Sequence, residues 1–353
     1  MIKERKCCAA CFGDPGLENI FFTEQSLEVG ECGYCRETDV RLQVPSALQD
    51  EFEQLLEIYN VEPTYGESLP TLFKKDWKLF ANERLNFDAV QVLLGDIFDD
   101  GERARRIYKP EPLSDNSALD ILHDFRQRIT FENRWFLEDS DSDYRPVFHR
   151  IEEFHDLLRL DLKTPQKSWY RARKTPGNTA HPLSEMGAPP ANLTSSGRVN
   201  PAGIPYLYLS SSVQTALAEI RPRPAENVTL ATFADIDRVV AALYDPRYSI
   251  TPFGHEDSRL VRKLRDLLPI LEYMSNQLSR PVAPDDADFE YVPTQYFCEF
   301  LKSLRYDGVR FRSAISEGEN LALFNHHGIH PESVQLHQIT NIEVSARITN
   351  VAD

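Results

Sequence analysis

Several things this chain of 353 residues lacks narrow its reading before any motif is considered. It has no run of about 18 apolar residues, so no transmembrane helix is expected. Its first residues, Met1 to Cys7, are charged and lead into no apolar stretch, so no secretory signal peptide is expected. It contains neither Gly-x-Gly-x-x-Gly nor a Walker motif, which leaves a Rossmann or P-loop route to nucleotides without support. Positive charge is in short supply: 39 Lys and Arg stand against 55 Asp and Glu, for a formal net charge of -16. Nonspecific coating of nucleic acid needs a basic footprint, so nucleic acid is not expected as a partner. Cysteine is nearly absent after residue 35, where only Cys298 occurs.

The other five cysteines crowd the first 35 residues. Such clustering points to a metal site in a reducing compartment rather than a disulfide framework, and the chain reads as cytoplasmic. Cys8-x-x-Cys11 and Cys32-x-x-Cys35 are separated by 20 residues, at the upper end of zinc-ribbon spacing. Two tight Cys-x-x-Cys turns can present four thiolates to one tetrahedral Zn2+. No general base stands near an open coordination position, so the expected zinc is structural. Cys7 could replace Cys8 as a ligand. Asn19 to Phe22 and Val40 to Val44 read as short strands of this ribbon.

Residues 46 to about 160 read as helical. Ala47, Leu48, Phe52, Leu55, Leu56 and Tyr59 keep a 3.6-residue period, and three further stripes follow: Ala89 to Phe98, Leu119 to Ile129 and Ile151 to Leu160. Pro110, Pro112 and the acidic stretch Glu138 to Asp143 break the segment.

The C-terminal half changes character. Trp169 to Arg173 reads as a strand, with Tyr170 and Ala172 on one face and Arg171 and Arg173 on the other. Two arginines on one strand face need water or an anion. A Pro-, Gly- and Ser-rich loop follows, of a length typical of lids. Residues 197 to 221 then organise the whole. Arg198 and Asn200 sit among turn residues, Tyr206 to Leu209 read as a strand, and Ser210 to Ser212 offer helix caps. Val213, Ala216, Leu217 and Ile220 recur at helical spacing, with Glu219 beside them. A carboxylate next to an apolar face is paired, functional or turned to solvent. Beyond it, Leu230 to Phe233, Val239 to Leu243, Val309 to Phe311, Leu321 to Phe324 and Val334 to Ile348 read as strands. Leu260 to Leu278 and Cys298 to Leu304 read as helices. His326, His327 and His330 lack carboxylates at ligand spacing and are not read as a metal site.

Arg198-x-Asn200-Pro201-x-Gly203-x-Pro205-x-x-Tyr208, followed by a helix ending Ala216-Leu217-x-Glu219, resembles the RES domain. Tyr306-Asp307-Gly308 to Ser313 supplies the serine that the family places further on. The resemblance covers roughly residues 166 to 345 and includes toxins of RES–Xre toxin–antitoxin pairs. It implies an α+β fold with an ADP-ribosyltransferase-like mixed β core at the C-terminus, preceded by a zinc ribbon and a mainly helical domain. The expected division is 1–45 zinc ribbon, 46–163 helical regulatory domain and 164–353 catalytic domain. The helical part resembles modules likened to HEPN domains. Arg103 to Arg106 and His123 do not form the Arg-x4-His motif typical of such nucleases, and no nuclease role is expected there.

The resemblance also implies chemistry: an enzyme acting on NAD+, as a glycohydrolase or ADP-ribosyltransferase. Nicotinamide is already cationic and departs neutral, so no general acid is needed. The ribose C1′ becomes oxocarbenium-like, and one ionised carboxylate can stabilise it and orient the 2′-hydroxyl. That role would fall to Glu219, with Arg198 and Ser313 completing the catalytic group. Arg171, Asn200 and Tyr208 would bind NAD+, with Arg173 as the second choice to Arg171. Growth inhibition and an antitoxin or regulatory partner follow from the same resemblance. The rival expectation is a zinc-ribbon and helical adaptor whose C-terminal domain has lost catalysis and which binds a protein or nucleic-acid partner through its N-terminal half. Oligomeric state is not legible.

Overall fold

Short apolar runs punctuated by proline, glycine and capping residues give this chain many small elements and a few long helices. The structure, a computed structural model, describes residues 5–81, 83–112, 118–135, 137, 144–155, 159–160, 168–234, 236, 243–244 and 250–342. It divides into two compact units, one comprising Met1–Leu119 with Ile250–Leu271, the other Asp120–Ser249 with Glu272–Asp353. The acidic stretch 138–143, the linker 161–167, residues 239–242 and residues 343–353 lie outside the described residues, as does the expected boundary at 163/164. No described helix is long and apolar enough to cross a membrane.

In the first unit, α1 (Ala9–Phe12) ends at Gly13, whose φ of +70° suits glycine. Next comes α2 (Pro15–Phe21). Asp14 caps it by accepting from Leu17 N at 2.9 Å, with Pro15 at the first helical position. This cap and proline override the strand expected over Asn19 to Phe22, since together they start a helix. The second expected strand is present: β2 (Val40–Leu42) pairs antiparallel with β1 (Glu28–Gly30). Helices α3 (Gln49–Leu56), α4 (Leu69–Trp77), α5 (Phe87–Phe98) and α6 (Gly101–Arg105) carry the rest. Their buried faces meet around Phe52, whose ring lies 5.8 Å from Phe12, 6.1 Å from Phe73 and 5.0 Å from Phe253. Each such side chain contributes about 1.5–3 kcal/mol by burial.

A three-stranded sheet interrupts these helices, with β5 (Ile107–Pro110) between β3 (Tyr59–Val61) and β4 (Glu67–Ser68). A purely helical stretch to residue 160 was the expectation, and Tyr59 falls instead in β3. Strands of two to four residues are too short to show a period-2 pattern.

In the second unit, α7 (Ala118–Phe131) and α8 (Arg145–Glu153) precede an eight-stranded sheet. Its strands are β6 (Arg159–Leu160), β7 (Ser168–Thr175), β8 (Leu207–Ser210), β9 (Asn227–Ala234), β10 (Leu243–Tyr244), β11 (Gly308–Arg312), β12 (Glu319–Leu323) and β13 (Ser333–Gln338). They run in the order β13-β9-β7-β8-β12-β11-β10-β6, and among the described residues only β10 and β11 pair in parallel. Leu160, expected at a helix end, pairs with Leu243 in this sheet. Trp169, Leu207, Leu209, Phe233, Leu321 and Leu323 fill one face. Ala172, Val228 and Leu230 meet Ala216 of α9 (Val213–Glu219) on the other. Ser212 caps α9, accepting from Thr215 N at 3.1 Å, so Glu219 arrives two turns after β8 ends. The long α10 (Ser258–Ser279), most of which belongs to the first unit, keeps Pro269 inside it. After α11 (Ala287–Glu290), α12 (Val292–Ser303) starts earlier than its apolar pattern suggested. Pro293 in the first turn explains this, because proline there costs no hydrogen bond. The chain is therefore α+β, with a cysteine cluster and helices in the first unit and a large sheet in the second.

Candidate active site

A cavity of about 550 Å3 opens in the second unit, within the range of small-molecule sites. Glu219, Arg198, Arg171 and Tyr208 all line it. Glu219 stands in the last turn of α9, where the helix dipole disfavours negative charge. Two donors hold it there. Ser313 Oγ donates to Oε1 at 2.7 Å, and Asn320 Nδ2 donates to the same oxygen at 2.5 Å. Glu219 is an exposed residue at the cavity lining, and its Oε2 accepts no hydrogen bond among the described residues.

Both donors are themselves fixed. Ser313 follows β11 directly, its N–H bonds Gly318 O at 2.9 Å, and its Oγ accepts from Ile315 N at 3.2 Å. Asn320, 6% exposed, sits opposite Ser210 across the β8–β12 ladder, and its Oδ1 accepts from Ser210 Oγ at 2.8 Å. The hairpin between β11 and β12 rests on the start of α9, where Ser316 and Thr215 hydroxyls lie 3.1 Å apart. A Cβ on Gly318 would come 2.1 Å from Thr215 Oγ1, so the close approach requires glycine.

Arg198 Nη1 donates to Gln277 O at 3.2 Å, and the guanidinium lies 5.0 Å from the centre of the Tyr291 ring. Burial lowers its pKa, while the tyrosine and Glu219 charges oppose that shift. Arg171 Nη1 is buried with no hydrogen-bond partner. Burial brings its pKa down to about 10, still protonated at neutral pH. An enclosed guanidinium nitrogen without a partner suits an anionic acceptor. Arg173 instead donates to Glu185 O at 3.0 Å and pairs with the Glu185 carboxylate, away from the cavity lining.

Tyr208 donates to Asn200 Oδ1 at 2.6 Å and accepts from Val199 N at 3.4 Å; burial raises its pKa, so it is a neutral phenol. Asn200 is 3% exposed and donates to the carbonyls of Ser195, Pro201 and Ile204. Its polar atoms are thus spent on shaping the loop that presents Arg198. The structure brings Glu219 and Ser313 into contact, sets Arg198, Arg171 and Tyr208 around the same cavity, and places Asn200 behind Tyr208. Sequence reasoning missed Asn320, Ser210 and Tyr291. The one signal was an asparagine, a poor strand former, heading the apolar run Leu321 to Phe324.

In the first unit, Cys8 and Cys35 sulfurs lie 3.5 Å apart and Cys11 and Cys32 sulfurs 3.4 Å apart. All four sulfurs fall within 4.8 Å of one another, close enough to share a metal ion. Four thiolates about 2.3 Å from one tetrahedral Zn2+ would sit roughly 3.8 Å apart, so the set fits that ion. Hydrogen bonds from Cys11 and Cys8 hold the Cys32 thiol far below its usual range, against burial. Cys7 lies outside the group: its Sγ points to Gln43 O at 3.4 Å, and its backbone forms a bridge with Gln43. Cys8 is therefore the member that joins Cys11, Cys32 and Cys35.

A family model described as the RES domain matches residues 168–343, so this segment is a RES domain. The match spans the strands and loops that build the cavity. Among solved structures, the M. tuberculosis MbcT-MbcA toxin-antitoxin complex contains a similar chain at 16% identity. The likeness covers 55% of this chain and 92% of that one, with a TM-score of 0.31. No curated protein matches the chain.

Proposed function

We propose that the second unit cleaves NAD+ at the nicotinamide–ribose bond, as a glycohydrolase or an ADP-ribosyltransferase. The observation that carries this is Glu219, held by Ser313 and Asn320 through one carboxylate oxygen at the lining of a cavity that arginines also line. The bond's electron pair leaves with nicotinamide, which departs neutral. Positive charge develops at C1′ and on the ring oxygen, opposite Glu219 Oε2. The same oxygen accepts from the ribose 2′-hydroxyl. Water, or a nucleophile of a target, then attacks C1′ and loses a proton. Arg171 and Arg198 take the pyrophosphate, matching two anionic charges with two cations. Tyr208 walls the nicotinamide end. Asn200 contributes indirectly, through the loop it orders.

In this reading residues 1–45 form a ribbon around a structural Zn2+ held by Cys8, Cys11, Cys32 and Cys35. Residues 46–163 form a helical regulatory domain, and 164–353 the catalytic domain. Consumption of NAD+ in the cytoplasm makes the protein growth-inhibitory, a toxin or defence effector that an antitoxin or regulatory protein must restrain. The test is nicotinamide release from NAD+ by purified protein and by Glu219→Gln. The amide keeps an oxygen for Ser313 and Asn320 but places NH2 where Oε2 stood. Turnover is expected to fall about 10²–10³-fold with little change in melting temperature. Equal turnover by both proteins would end the assignment.

A further inference from the structure

We infer that Arg221 is a third guanidinium of the site, a phosphate clamp at the cavity rim; this rests on the NAD+ reading above. The bland account is a solvated surface arginine, and two observations argue against it. The first is its place: Arg221 lines the same cavity as Arg171 and Arg198. Among the described residues its guanidinium makes no hydrogen bond or ion pair. Arg171 is half-buried with its Nη1 enclosed, and Arg198 is tied to Gln277 O and Tyr291, so the exposed Arg221 is the rim cation open to an arriving ligand.

The second is its backbone. Arg221 directly follows the helix-capping residue Ile220 and has a φ of +44°. That position strongly prefers glycine, because a Cβ is strained in the left-handed region. Pro222 follows, and a residue before proline is pushed towards extended backbone. Arginine therefore occupies a conformation for which it is doubly unsuited. The chain anchors it there, with Arg221 N bonding Ala218 O at 3.0 Å and Arg221 O accepting from Lys174 Nζ at 3.0 Å. Strain held by backbone bonds beside a cavity is characteristic of functional positions. It fixes the side chain two residues beyond Glu219, where one cation can meet a phosphate oxygen while the carboxylate meets the sugar.

The experiment compares wild type, Arg221→Gly and Arg221→Gln in ADP-ribose binding by calorimetry at low and high salt, alongside thermal melting. Loss of one charge-assisted contact predicts about tenfold weaker ADP-ribose binding in both variants. The difference should shrink at high salt. Arg221→Gly should also melt higher than Arg221→Gln, because glycine relieves the strain. Unchanged ADP-ribose binding with a raised melting temperature would reduce Arg221 to a structural oddity and overturn the inference. Nicotinamide release by the wild type is scored separately: its absence sinks the catalytic reading, while the binding ratio still decides Arg221.

Discussion

Asn320 offers the sharpest test of how the carboxylate is held. It donates to Glu219 Oε1 and accepts from Ser210, and it is almost fully buried. Asn320→Ala removes a hydrogen bond to a charged group, worth about 1.5–3 kcal/mol, and leaves Ser210 Oγ without its acceptor. Glu219 then keeps only Ser313 and can turn about that contact. A loss of positioning worth about 1.4–2.7 kcal/mol in the transition state lowers turnover roughly 10–100-fold. Asn320→Asp goes further by setting a second carboxylate against the first. One member of such a pair holds its proton to a raised pKa. The protonated form can donate to Glu219 as the amide did. Activity should therefore be present below that raised pKa and be lost as pH rises through it, adding a limb to the pH–rate profile that the wild type lacks. Nicotinamide release between pH 5 and 8, with melting curves to confirm folding, reads both variants. Wild-type turnover in Asn320→Ala, or an Asn320→Asp profile parallel to wild type, would refute the reasoning.

Gly318→Ala should cost about 1–3 kcal/mol of stability by overpacking against Thr215. It should lower nicotinamide release too, since the displaced hairpin carries Ser313; a variant with unaltered melting and turnover would show the contact to be slack. Purified protein should hold one zinc per chain by elemental analysis, and Cys11→Ser or a strong chelator should remove it. The first unit should then melt earlier, because metal binding energy is folding energy in so small a ribbon; identical melting with and without chelator would count against the ion.

Much of the second unit was legible because its elements are long enough to show their period. The alternation over Trp169 to Arg173, the helix ending at Glu219 and the glycine-flanked strand before Ser313 each leave a local trace. Contacts across strands leave none. Glu219 and Ser313 are 94 positions apart, and Asn320 faces Ser210 at a separation of 110. No local pattern announces that Asn320 shares an oxygen with Ser313; only the register of β8 on β12 does. In the first unit, the short strands around Tyr59 lie below the length at which periodicity can be read. The helix over Pro15–Phe21 is written in its cap and proline, while the apolar run Ile20 to Phe22 taken alone has the composition of a strand.

The strand order of the large sheet bears on when the molecule can act. β12 is among the last strands to leave the ribosome, yet it lies in the middle of the sheet, between β8 and β11. A nascent chain that has made Arg171, Arg198 and Glu219 still lacks both donors that hold the carboxylate. Under the proposed chemistry, the carboxylate is therefore held for catalysis only once this late strand has taken its central place between β8 and β11.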